Sequence, residues 1–183
     1  MGQYYMPTLK REEELARVYS HEFGNGLKLT EHSYVGNNFV NVVANALIDN
    51  PAQLYWCGDY AEEDDFESAE RYKEIYGYAW GEKGRTTLAN PDDNFDWSKD
   101  WYYINQTKKE YLLMPKIGNY VFSPISLLTA IGNGRGGGDY HDGQCIEMVG
   151  YWAGDTVLLS EEKPKEKDYV DVSADVDFGS DDW

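Results

Sequence analysis

Cations and cysteines are what this chain is short of. Sixteen Lys and Arg stand against 33 Asp and Glu, a formal net charge of −17 at pH 7. A surface of that sign repels nucleic acid and anionic membranes and is drawn to positively charged grooves. Solubility alone asks for a net charge of about 2–8 in a small domain, so the excess points to a cationic partner. Only two cysteines occur, Cys57 and Cys145. Each sits in an apolar stretch, the usual setting of buried reduced thiols, and a disulfide-stapled secreted scaffold is not expected. No apolar run approaches the length that crosses a bilayer. Met1 to Tyr5 has no basic region followed by an apolar one, so no signal peptide is read and the expected location is the cytosol.

The usual catalytic signatures are absent as well. The sequence has no Gly-Lys-Ser/Thr of a phosphate-binding P-loop, no G-x-S-x-G and no H-E-x-x-H. Its three histidines are His21, His32 and His141. Asp139, His141 and Asp142 stand close enough to form a base pair or metal site, but their spacing matches no zinc or hydrolase pattern. No cofactor, no metal and no catalytic residue are therefore expected.

What the sequence does contain is a core. Hydrophobic residues make up 42% of the 183 positions and aromatics 15%, enough for one ordinary domain built round large rigid side chains. Residues 3–9 and 16–22 read as strands on either side of a charged turn, and Leu27-Lys28-Leu29 as a third strand after the Gly24-Asn25-Gly26 turn. Asn37 to Asn50 reads as a helix: Phe39, Val43, Ala46 and Leu47 form one stripe, and Asn38, Asn41, Asn45 and Asp49 line the opposite face. A buried strand at 53–57 follows the Asn50-Pro51 stop. A second helix, about Phe66 to Tyr76, carries Phe66, Ala69, Tyr72 and Tyr76 on its apolar face. Residues 81–100 read as a long loop, 101–105 and 110–114 as a hairpin, 124–131 as an apolar turn or short helix, and 147–152 and 156–159 as closing strands. The expected fold is a single α+β domain over residues 1–160, with a mostly antiparallel sheet and two main helices. Residues 161–183, where nine acids outnumber three lysines, are expected to be an acidic, flexible tail.

Two strings carry functional readings. Gly132-Asn133-Gly134-Arg135-Gly136-Gly137-Gly138-Asp139-Tyr140 formally contains G-x-G-x-x-G, but turn residues follow where a dinucleotide fold needs a helix N-terminus. It is either a loop shaped by positive φ and close packing or a backbone nest for an anion or nucleotide. In the second reading Gly134, Arg135, Gly136, Asp139 and His141 form the anion site of a nucleotide-binding protein or a small enzyme. Asp92, Asn94, Asp96, Ser98 and Asp100 alternate as calcium-loop ligands do, but Trp97 and Tyr103 replace the glycine and glutamate that such a loop requires.

Acids beside aromatics form the broader pattern. Asp59, Glu62, Glu63, Asp64, Asp65, Glu67, Glu70 and Glu74, then Asp92, Asp93, Asp96 and Asp100, then Asp171, Asp175, Asp177, Asp181 and Asp182 form the candidate partner-binding set. Rigid aromatics among carboxylates suit an Arg- and Lys-rich surface, and carboxylates spread over a face can stand in for the phosphates of DNA. Four of these acids, Glu62 to Asp65, also have a structural reason, since a helix start favours negative charge.

Gly2-Gln3-Tyr4-Tyr5, Gly26-Leu27-Lys28-Leu29 with Glu31-His32-Ser33-Tyr34, Gly36 to Val40, Trp56-Cys57-Gly58-Asp59-Tyr60, the glycine string and Trp152 to Asp155 together resemble a family of small proteins of bacteria and their mobile elements. The resemblance spans about residues 2–155. The acidic chain also resembles phage-borne anti-CRISPR inhibitors of type II-A Cas9. That likeness implies a non-enzymatic protein of the host bacterial cytosol that binds Cas9 with its guide RNA and blocks DNA binding or cleavage; it implies no site residues. Cas9 holds its heteroduplex in a positive channel and reads its target flank with arginines, groups that an acidic protein can cover.

Overall fold

The chain enters its sheet as β1 (Tyr5–Arg11), turns at Glu12-Glu13 and returns as β2 (Glu14–Arg17). This computed structural model describes residues 2–81, 84–116, 121–141 and 143–179. After a 3₁₀ turn at Ser20–Phe23 come α1 (Leu29–His32), α2 (Asn38–Leu47), β3 (Ala52–Gly58), a second 3₁₀ turn at Glu63–Asp65 and α3 (Ala69–Gly81). The hairpin β4 (Tyr102–Asn105) and β5 (Glu110–Leu113) follows, then α4 (Pro124–Leu127), β6 (Ala130–Ile131), β7 (Thr156–Ser160) and β8 (Val170–Asp171). The sheet order is β2-β1-β3-β7-β4-β5-β8, with β6 beside β3. Pairing is antiparallel except at β3–β6 and β5–β8. The fold is α+β, and no described helix is long and apolar enough to cross a membrane.

Strand β3 divides the core. Its alternate side chains point to opposite faces, as strand geometry dictates. Leu54 and Trp56 join Tyr5, Leu9 and the α2 residues Phe39, Val43 and Leu47 on one side. Tyr55 and Cys57 join Met6 and the α3 residues Ile75 and Ala79 on the other. The two main helices thus cover opposite faces of β1 and β3. Each has its C-terminal carbonyls capped by an arginine from the β1–β2 hairpin, which suits the negative end of a helix. Arg11 donates to the carbonyls of Ala46, Asn50 and Pro51. Arg17, buried, donates to those of Tyr78, Ala79 and Arg85.

Several sequence-based expectations change. Residues 18–22 are not strand, because the chain closes a 3₁₀ turn whose end, Gly24, takes φ +71°. Leu27 to Leu29 is not a strand either; Glu31 reaches back to the Lys28 N–H and starts α1 there. Helix α3 begins later and runs further than expected, since the Ser68 hydroxyl accepts from the Arg71 N–H and starts the helix there, and Ile75 and Ala79 extend its buried stripe. Residues 147–152 form turns: Gly150 and Trp152 donate to the carbonyls of Leu127 and Leu128 rather than to a neighbouring strand. The asparagine face of α2 is not left to solvent. Asn41 accepts from the Trp97 indole at 2.7 Å and donates to the Asp93 carbonyl, and Asn45 donates to the carbonyls of Asp92 and Asn94. Those amides pin the 92–97 segment to the helix.

The segment expected to trail beyond the domain supplies β8, and its Val172 and Phe178 lie in the core. Phe178 meets Tyr140 edge-on, and its carbonyl accepts from the Tyr140 hydroxyl at 2.7 Å.

Candidate functional site

Parallel pairing of β3 and β6 brings their C-terminal ends to the same edge of the sheet, and Tyr5 of β1 stands opposite Gly58 there. Three chain segments therefore converge: residues 2–4, the β3 exit at 58–65 and the glycine-rich string that leaves β6. Arg135 ties the last two together, its guanidinium 2.7 Å from Glu62 and 2.9 Å from Asp65.

The glycine string is a nest, and the chain fills it. One carboxylate oxygen of Asp139 accepts from the backbone N–H groups of Gly134, Arg135 and Gly136 at 2.7, 3.0 and 3.3 Å. Gly134 sits at φ +91°, a conformation other residues adopt at a cost. Gly136 needs its bare Cα because a Cβ would stand 2.7 Å from the Gln3 backbone nitrogen. The side-chain amide of Asn133 closes the loop by exchanging two hydrogen bonds with the Tyr140 backbone. Asp139 is only 4% exposed, and the converging N–H donors take the place of the water that burial removes from that oxygen.

This corrects the anion-site reading. Gly134, Arg135, Gly136, Asp139 and His141 do come together, His141 beside the Gly136 carbonyl, yet the donors that would receive a phosphate already hold a carboxylate. A cleft of about 460 Å³ opens beside the loop, lined in part by Asp65, Arg135, His141, Ile146 and Val149. Its guanidinium is matched by Glu62 and Asp65, which leaves no surplus positive charge there for an anion.

The partner-binding acids separate into groups. Asp59 to Glu74 lie on the α3 side of β3, whereas Asp92, Asp93, Asp96 and Asp100 lie on the α2 side, held by the Asn41 and Asn45 amides. Asp171, Asp175 and Asp177 belong to β8 and the turn after it; Asp181 and Asp182 lie outside the described residues. Within the first group Glu67 and Glu74 pair with Arg71, and Glu74 also with Lys10. The Lys10 and Arg71 contacts hold the Glu74 carboxyl below its ordinary range. Asp59 accepts from the Tyr4 N–H. Glu63, Asp64 and Glu70 are exposed and make no ion pair among the described residues. In the second group Asp92 and Asp96 each cap a local turn, at Asn94 and Ser98, and Asp100 pairs with Lys116. Their oxygens serve their own backbone rather than converging, and no metal-holding cluster occurs among the described residues.

Two titratable groups prove to be structural. His32, fully buried, takes the Trp56 indole N–H on Nε2 at 2.8 Å and gives its Nδ1 proton to the Gly26 carbonyl. Burial lowers its pKa to about 4. Burial pushes the Cys57 thiol up to about 12, an unreactive state, and both cysteines are free. Beside the nest, the side-chain amide of Gln3 is buried without a hydrogen-bond partner among the described residues. Burial and the Asp139 charge drive the Tyr5 hydroxyl far above its usual range. Nothing local in the sequence marks this cluster, because Gln3 and Tyr5 lie more than 130 positions from Asp139.

No family model, curated protein or solved structure matches the chain.

Proposed function

We propose that the protein is a non-enzymatic inhibitor that seats its acidic surface in a cationic groove of a nucleic-acid-processing protein, with Cas9 and its guide RNA as the specific target. One observation carries this reading: many of the described cations are engaged within the chain's own architecture. Arg11 and Arg17 cap helix ends, and Lys10, Arg71 and Arg135 neutralise individual acids. Exposed acids such as Glu12, Glu13, Glu14, Glu63, Asp64 and Glu70 are left without an ion pair among the described residues. A charge of −17 so distributed acts outward and favours encounter with a positive partner. The chemically competent groups point the same way: the nest is self-filled, His32 is buried and bonded on both nitrogens, and the Cys57 thiol is inert.

The test is size-exclusion co-elution with the Cas9–guide RNA complex, together with a DNA-cleavage assay. Co-elution at low ionic strength that weakens as salt screens the surface, with loss of cleavage, is the expected result. Separate elution with cleavage undiminished would overturn the reading.

A further inference from the structure

We propose that the tyrosine patch around Asp59 is the docking face, and that it receives arginine side chains of the basic partner. The inference rests on the reading above and adds to it a location and a preference for arginine over lysine. Tyr4 and Tyr60 are exposed large hydrophobic side chains, at 39% and 37%. Both adjoin Asp59, whose carboxylate accepts from the Tyr4 N–H at 2.8 Å and whose own N–H donates to the Tyr4 carbonyl at 2.9 Å. The Asp59 carbonyl accepts from the Tyr76 hydroxyl at 2.7 Å. Tyr76 stacks on Tyr72 with centroids 5.0 Å apart, and Tyr72 meets Phe66 edge-on at 5.4 Å. The Tyr72 and Tyr76 rings are thus held by their neighbours and the Tyr4 backbone is tied to Asp59 before any partner arrives, which lowers the ordering cost of binding. Glu63 and Asp64 stand exposed next along the chain, without ion pairs among the described residues.

The rest of the molecule supplies the contrast. Among the described residues, cations of the chain lie over aromatic faces in five places: Arg17 on Tyr78, Lys99 on Trp101, Lys108 on Tyr151, Lys109 on Tyr169 and Lys163 on Tyr111. No described cation lies over Tyr4, Tyr60, Tyr72 or Tyr76. Lys10, Arg71 and Arg135, on the same side of the sheet, are engaged by Glu74, Glu67, Glu62 and Asp65, and exposed Lys73 of α3 lies over none of these rings. Here rings and carboxylates are left open together. Such a surface takes a guanidinium better than an ammonium, because the planar group stacks on a ring while its fork meets a carboxylate. Arginine and tyrosine are also the side chains that dominate interface energies.

The experiment titrates the full chain with an octapeptide of alternating Arg and Gly and with its Lys counterpart of equal charge. Because the planar guanidinium stacks on a ring while its fork meets a carboxylate, an Arg preference of about fivefold is expected, equivalent to about 1 kcal/mol. The double variant Tyr4→Ala, Tyr60→Ala, with its fold checked by circular dichroism, should bind both peptides equally and lose co-elution with the Cas9–guide complex. The variant Asp92→Asn, Asp93→Asn, which removes two negative charges on the opposite side of the sheet and leaves the rings in place, should weaken both peptides alike and keep the preference. Equal binding of the two peptides by the unaltered protein, or an undiminished preference in the tyrosine variant, would overturn the docking face even where co-elution persists. An arginine preference that depends on Tyr4 and Tyr60, without co-elution with Cas9, would uphold the face and remove Cas9 as the target.

Discussion

Trp56 donates its indole N–H to Nε2 of His32 at 2.8 Å, inside the core and 24 residues away in sequence. The bond requires His32 to be neutral, with its remaining proton on Nδ1 facing the Gly26 carbonyl. The pKa of about 4 lies below the ordinary 6.5. Between those values the unfolded chain takes up a proton that the folded chain refuses. Stability from this residue is therefore fully present above about pH 6.5 and is lost as the pH falls toward 4, by about 3 kcal/mol in all. The substitution His32→Gln keeps a donor and an acceptor but does not titrate. Urea denaturation from pH 7 to pH 4 should show the parent losing about 3 kcal/mol more than this variant. Parallel curves would refute the assignment.

The self-filled nest predicts a graded response at residue 139. Asp139→Ala leaves three backbone donors without their acceptor and should cost about 2–4 kcal/mol in denaturant unfolding. Asp139→Asn retains an oxygen and should cost less than half as much. Amide exchange at Gly134, Arg135 and Gly136 should quicken in the alanine variant while β1 and β3 stay protected. If both substitutions leave stability unchanged, the carboxylate does not organise the loop.

The C-terminal segment predicts a loss that a flexible tail would not give. Phe178 is 4% exposed and packs on Tyr140, so Phe178→Ala should lower stability by about 3 kcal/mol. Ending the chain at Ser160 should cost more, because it also removes β8, the pairing partner of β5, and buried Val172. A truncated chain with unaltered thermal unfolding would contradict this packing.

Where the sequence could be read correctly, the signal was local. The 3.6-residue stripe of Phe39, Val43 and Leu47 locates α2, and the apolar run from Leu54 to Cys57 locates a strand buried on both faces. Where it could not, a distant partner decided. Leu27 to Leu29 alternates like a strand, yet the backbone bends into α1 because Glu31 caps it. Residues 147–152 look like a strand, yet their donors find the end of α4. The asparagines of α2 are legible as a polar face, but that they hold the 92–97 segment is visible only once the fold places the two together. The acidic set was legible as composition but not as a surface, since the sheet places Asp59–Glu74 and Asp92–Asp100 on opposite sides.

The sequence by itself determined the sign and excess of the charge, the α+β class and the stretches rich enough in apolar residues to be buried, since each depends on composition or on neighbours a few positions apart. Tertiary structure decided which acids remain open to a partner. Arg135 reaches Asp65 across 70 positions, and Asp139 turns inward to its own loop. The register of β3 against β6 brings these segments to one edge, and that register is set by packing across the whole sheet.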